Sequence, residues 1–124
     1  QRRLGLTYLF ISHDLSVIEH VSDRIAVMYL GKIIELGAVD DVFRNCLHPY
    51  TKALIDSIPI PDPHLKQSAK WLEGEVPSSI SPPKGCRFHP RCSMADDRCR
   101  KEEPVLVDVG GGHMVACHRL RGKS

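Results

Sequence analysis

"LTYLFISHDLSVIEHVSDRIAVMYLGKIIELG", residues 6–37, holds the pattern that decides the fold. It opens with TYLFIS (Thr7–Ser12), a short apolar, β-branched and aromatic run of the kind expected for a strand buried on both faces. The period then changes. In HDLSVIEHVSD, Leu15, Val17, Ile18 and Val21 share one helical face while Ser16, Glu19, His20 and Ser22 are polar. Asp14 stands where an N-cap belongs, and its negative charge suits the positive end of the helix dipole. RIAVMYL reads as a second buried-type strand, Gly31–Lys32 as a type II′ hairpin connection, and IIELG as the returning strand. Two short helices follow, Val39–Asn45 and Pro49–Ser57, with Pro49 suited to a first helical position. Strand, helix, hairpin and helices over residues 1–58 predict an α/β fold.

Beyond Ile58 the texture is different. In IPIPDP, Pro59, Pro61 and Pro63 alternate, which excludes helix and favours extended polyproline-like chain. VPSSISPPKG repeats that theme, and between the two only KWLEGEV, anchored by Trp71, predicts a short strand. We therefore divide the chain into 1–58, a proline-rich linker over 59–85 and a cysteine-rich extension over 86–124. That extension holds three adjacent glycines (Gly110–Gly112) and one alternating run, HMVACH, which predicts a short strand. So few apolar residues call for a staple.

The bulk properties narrow the function classes. With 42% apolar and 26% charged residues, the 124-residue chain is composed like an ordinary globular domain. The longest apolar run, Ile25–Leu30, is far too short to span a membrane. No secretory leader is visible, and a start at Gln1 without methionine suggests a fragment of a longer protein. A net charge of +2 argues for no nucleic-acid partner: basic residues are interleaved with acids, aromatics are few and no recognition helix follows the cysteines.

Two groups of residues have chemical potential. His13 sits where a buried strand ends and a helix begins, the end of an α/β sheet at which ligands collect, and imidazole there can donate to phosphate or polarise water. The plainer role is a hydrogen bond inside the turn. The second group is Cys86-x5-Cys92-x6-Cys99-x17-Cys117. Structural zinc sites start from a C-x2–4-C knuckle, which is missing here. Gaps of five and six residues suit a larger object, such as a cubane cluster held by four thiolates. Zinc with His89 or His118 substituting for a thiolate, and disulfides, are the alternatives; without a secretory signal disulfides fit least. Arg87, Arg91 and Arg98 stand where they could lower thiolate pKa values or offset metal–thiolate charge. Cys46 lies outside the set and reads as a small buried hydrophobe.

The same segments, in the same order, resemble a known family. LTYLFISHDLSVIEHVSDRIAVMYLGKIIELG looks like the switch-histidine segment and final strands of an ABC-transporter ATPase. HPYTKALIDSIPIPDP resembles the His-Pro-Tyr extension of oligopeptide and dipeptide importer ATPases, and LEGEVPSSISPPKGCRFHPRC with the cysteines after it resembles the continuation of that extension, with wording closest to the F-type subunit.

The resemblance implies a C-terminal piece of a P-loop ATPase core followed by an irregular Pro/Gly-rich and Cys-rich tail with short strands. It implies that His13 is the switch histidine that reaches the γ-phosphate and helps hold the attacking water, with Asp14 as its acidic companion. His48, Pro49 and Tyr50 mark the extension without a catalytic role. The cysteine quartet then resembles one that carries a [4Fe–4S] cluster in members of the family, with Zn²⁺ as the alternative. The implied cofactors of the whole protein are ATP and Mg²⁺. The implied partners are a second, D-type ATP-binding subunit, two membrane-spanning permease subunits and, indirectly, an extracytoplasmic peptide-binding protein. The implied location is the cytoplasmic face of the bacterial inner membrane. No G-x-x-x-x-G-K-[ST] phosphate loop occurs in the chain, nor the acidic strand end or signature motif such an ATPase needs. The 124 residues alone are therefore expected to be inactive. The competing reading is a metal-binding structural or interaction module.

Overall fold

A computed structural model of the chain describes residues 2–64, 72 and 74–122. The helix expected after Asp14 is present as α1 (Leu15–Val21), with the Asp14 carboxylate accepting from Ser16 N and Val17 N. Only Ile18 of its apolar face is fully buried; Val17 and Val21 are half exposed. A tight hairpin follows, β1 (Arg24–Tyr29) and β2 (Lys32–Ala38), then α2 (Val39–Arg44) and α3 (Pro49–Asp56). In the extension lie α4 (Asp97–Lys101), β3 (Val107–Asp108) and β4 (Met114–Val115), with single 3-10 turns at His89–Arg91 and His118–Gly122. The fold is α/β, with one small antiparallel sheet and few, short helices.

The hairpin turn differs from expectation by one residue. Tyr29 pairs with Lys32, so the loop is Leu30–Gly31, and both have positive φ (45° and 77°). That is the type I′ geometry, whose twist matches the flanking strands. Leu30 occupies an unfavourable region for a branched side chain, and it is held there: it packs on the core and its carbonyl accepts from the Arg87 guanidinium. β1 alternates exposed and buried residues, so it is a half-buried strand rather than one covered on both faces. In β2 a bulge opposite Val27 and Met28 turns both Ile34 and Glu35 inward.

The strand expected over Thr7–Ser12 does not form. The segment is extended but no described strand pairs with it, and Leu9 and Ile11 are 90% and 94% exposed. A strand is defined by its hydrogen-bonded neighbours, and none reaches this run. The KWLEGEV strand falls partly on Lys70, Trp71 and Glu73, which lie outside the described residues; Leu72 and 74–76 form no strand.

The sheet order is β1-β2-β4-β3, so the extension adds its two short strands directly to the hairpin. Glu35 pairs with Val115 and Leu36 with Met114. The core, Ile18, Ile25, Val27, Tyr29, Ile34, Val42 and Phe88, likewise takes residues from both parts of the chain.

Candidate functional site

His13 lies in the turn between the extended segment and α1, with its side chain exposed. Its neighbours are tied down: Asp14 N donates to Ser12 Oγ, and the Asp14 carboxylate is taken up by the helix amides. Asp14 is thus the N-cap of the helix that carries the histidine's turn.

The His-Pro-Tyr triplet has an architectural use. His48 is the N-cap of α3, accepting from Tyr50 N through Nδ1 at 3.1 Å, and Pro49 takes the first helical position, where a missing N–H costs nothing. Burial pushes the His48 pKa down to about 4, partly opposed by Glu35. Its ring, with Tyr29 and Tyr50, surrounds Phe88: the ring centroids lie 5.3 to 5.6 Å from that of Phe88. Phe88, two residues after Cys86, is the plug that docks the cysteine segment onto the hairpin and α3.

The fold brings the four cysteines together. Cys86 feels the charges of Cys99, Cys117 and Cys92, Cys117 those of Cys92 and Cys99, and Cys99 that of Cys92. Every pair in the quartet is therefore within electrostatic range. Cys86 N donates to Cys99 O at 2.8 Å, and Gly85 permits that approach, since a Cβ there would lie 2.4 Å from Cys99 O. The Asp96 carboxylate caps α4 by accepting from Cys99 N, and it also pairs with Arg119, two residues beyond Cys117. That cap is the main reason its carboxyl is held down at about 2.

All five cysteines are free thiols. Burial pushes Cys86, Cys99 and Cys117 up from the ordinary thiol value, and the neighbouring thiols add to the rise. The flanking arginines make contacts of their own. Arg87 donates to Leu30 O, Arg98 pairs with Glu102 at 2.9 Å, and Arg91 acts on Tyr50. His89 and His118 each give a ring nitrogen to a carbonyl, of Cys86 and Glu102 respectively. Cys46 is half-buried, its thiol raised by burial and then by Glu35. Among the described residues, no group of three or more His, Cys, Asp or Glu side chains converges closely enough to hold a single metal ion.

Sequence reasoning missed Glu35. This carboxyl is 0% exposed and accepts three hydrogen bonds, from Leu47 N at 2.8 Å, His48 N at 3.0 Å and His113 Nε2 at 2.7 Å. It joins hairpin, His-Pro-Tyr helix and extension at one point. The only signal in the sequence was an acid inside the apolar run IIELG, which alternation alone would place on the solvent face.

Glu35, Leu47 and His48, the hairpin side of this joint, fall inside a recognised sequence family. The profile of the family described as "Oligopeptide/dipeptide transporter, C-terminal region" matches residues 34–99. The chain belongs to that family. Curated relatives agree over nearly the whole sequence. The chain is 52% identical over 122 residues to the oligopeptide transport ATP-binding protein OppF of Salmonella typhimurium, covering 97% of the chain and 36% of the relative. It is 51% identical over 122 residues to OppF of Escherichia coli, with the same 97% and 36% coverage. Identity to the dipeptide transport ATP-binding protein DppF of Haemophilus influenzae is 49% over 120 residues, 97% of the chain and 37% of the relative. The chain thus spans about a third of the length of these transporter proteins. Among the described residues no helix is long and apolar enough to cross a membrane.

Proposed function

We propose that these residues form the C-terminal part of the ATP-hydrolysing subunit, of F type, that powers import of oligopeptides or dipeptides across a bacterial inner membrane. The observation that carries this reading is identity near one half across 97% of the chain to proteins named as peptide-transport ATP-binding subunits. The segments then divide as 1–58 from the ATPase core, 59–85 linker and 86–124 extension. The subunit works with ATP and Mg²⁺ at the cytoplasmic membrane face, beside a D-type ATP-binding subunit and beneath two permease subunits fed by a peptide-binding protein. The phosphate loop and the Mg²⁺-binding strand end are not in this sequence, so the 124 residues alone do not hydrolyse ATP. In the intact protein His13, exposed at a capped and fixed turn, is free to meet a γ-phosphate and hold the attacking water. His13→Ala in the intact subunit should lower kcat for ATP about 100-fold or more, with nucleotide still bound. Unchanged kcat would sink the assignment.

A second reading concerns Cys86, Cys92, Cys99 and Cys117. We propose that they hold a [4Fe–4S] cluster whose role is to organise the extension. What supports it is the spacing of four free thiols, with Cys86 and Cys99 tied together by the bond from Cys86 N to Cys99 O. One tetrahedral zinc would draw its sulfurs to within roughly 3.8 Å of one another, whereas a cluster places one iron at each thiolate and needs them wider. The bound group would supply cross-linking by metal–thiolate bonds. The protein's part is to bury the thiols and fix Cys86 and Cys99 by their backbone bond. Iron and sulfide analysis after anaerobic purification tests it; a colourless protein with one equivalent of zinc would replace the cluster by zinc.

A further inference from the structure

We infer that Glu35 and His113 form a register pin, whose purpose is to deliver Cys117 to the other three cysteines. The inference rests on the reading of the four thiols as one site. Cys86, Cys92 and Cys99 belong to a single segment that is closed on itself by the bond from Cys86 N to Cys99 O. Cys117 arrives separately, two residues after Val115, and its position follows from how β4 is paired on β2.

That pairing is weakly specified by the strands themselves. β4 has two residues, and its register on β2 consists of Glu35 opposite Val115 and Leu36 opposite Met114. One further bond, Ala116 N to Ile34 O at 2.9 Å, extends it. The turn before β4 is Gly110–Gly112, with all three φ values positive, so it imposes little on the strand that follows. Short, glycine-fed strands are prone to slip, and a slip of one residue would turn Cys117 to the opposite face.

What prevents a slip is buried and polar. His113 precedes β4 directly, and its Nε2 donates to Glu35 Oε1 at 2.7 Å, with both side chains shielded from water. The remaining two bonds to Glu35 come from Leu47 N and His48 N, so the carboxyl cannot follow a displaced strand without abandoning α3. A slipped register would leave this carboxyl without its imidazole and without water, a cost that apolar strand contacts do not impose. Gly37 provides the room: a Cβ there would lie 3.3 Å from His113 Cδ2 and 3.2 Å from Val42 Cγ2. The imidazole therefore sits in a slot shaped by β2 and α2. Glu35 and His113 are positioning residues for Cys117 and touch no metal themselves.

The test uses the intact subunit and two readouts, one of which needs no metal. In metal-free protein, each thiol's alkylation rate by iodoacetamide is followed by peptide mass spectrometry. His113→Ala should raise the Cys117 rate about tenfold or more, as expected for loss of one hydrogen bond to a buried carboxyl, while Cys86, Cys92 and Cys99 stay as protected as in the parent. His113→Gln, which keeps a donor, should restore protection. In the second readout, ferrous iron and sulfide are offered anaerobically, and His113→Ala should hold less than a tenth of the parent's iron while His113→Gln recovers most of it. Unchanged Cys117 protection in His113→Ala, or an equal rise at all four thiols, would overturn the pin. A parent protein that takes up no iron would defeat the cluster reading, and the alkylation pattern would still decide the pin.

Discussion

His48 shows how a single side chain can be chosen for its neutral form. As the N-cap of α3 it must offer a lone pair on Nδ1 to Tyr50 N, and it does so with almost no exposure to water. Its folded pKa of about 4 lies below the ordinary histidine value of 6.5. The unfolded chain therefore binds a proton that the folded one refuses, and stability falls as pH drops from about 6.5 to about 4. The loss levels off below that, after at most on the order of 3 kcal/mol. Urea titrations of the intact subunit across this window should show the slope. His48→Asn, which keeps a capping acceptor without a titrating group, should flatten it. The triplet's name-giving residues thus serve helix initiation and packing. Their spacing was legible in the sequence; the burial that makes His48 neutral was not, because it depends on Phe88, forty residues away.

At the level of elements, local rules worked where the element is locally closed. α1 begins after Asp14 because that carboxylate satisfies two amides that would otherwise be orphaned. With seven residues and one fully buried side chain, the helix depends on its cap. Asp14→Ala should destabilise it by about 1 kcal/mol, seen as faster amide exchange confined to residues 15–21. Exchange unchanged there would show that packing by Ile18 suffices. The hairpin, α2 and α3 were equally legible, each carrying its own turn residue or period. Thr7–Ser12 was not, since a strand's existence is a property of its neighbours, and composition reports only its willingness to pair. The turn was displaced by one residue because Tyr29 is needed in the core, and that need outweighs the cost of positive φ at Leu30.

For the whole molecule, the notable feature is that the cysteine extension is no separate appendage. It completes the sheet, fills the core with Phe88 and meets the hairpin at Glu35. Phe88→Ala should therefore cost about 3–5 kcal/mol, and it should loosen the hairpin and extension together. Differential scanning calorimetry of the intact subunit checks this, with one transition lowered as a unit. A variant that loses only the extension's contribution would show that the two parts fold independently. The physical basis is that neither part holds enough apolar residues to bury a core alone.

The sequence by itself determined the α/β character, the capped helix, the hairpin, the proline break and the family, because these rest on local periodicity and on residues that are near one another in the chain. It also set apart the four cysteines by their spacing. Only the tertiary structure decided that Thr7–Ser12 pairs with no strand among the described residues, that Arg87 and Arg98 beside the cysteines bond to Leu30 O and Glu102, and that Glu35 is the joint of the molecule. A carboxyl in an apolar strand has two possible fates, solvent or a set of buried donors. Which one it meets depends on a bulge that turns it inward and on His113, seventy-eight residues further on, arriving at hydrogen-bond distance.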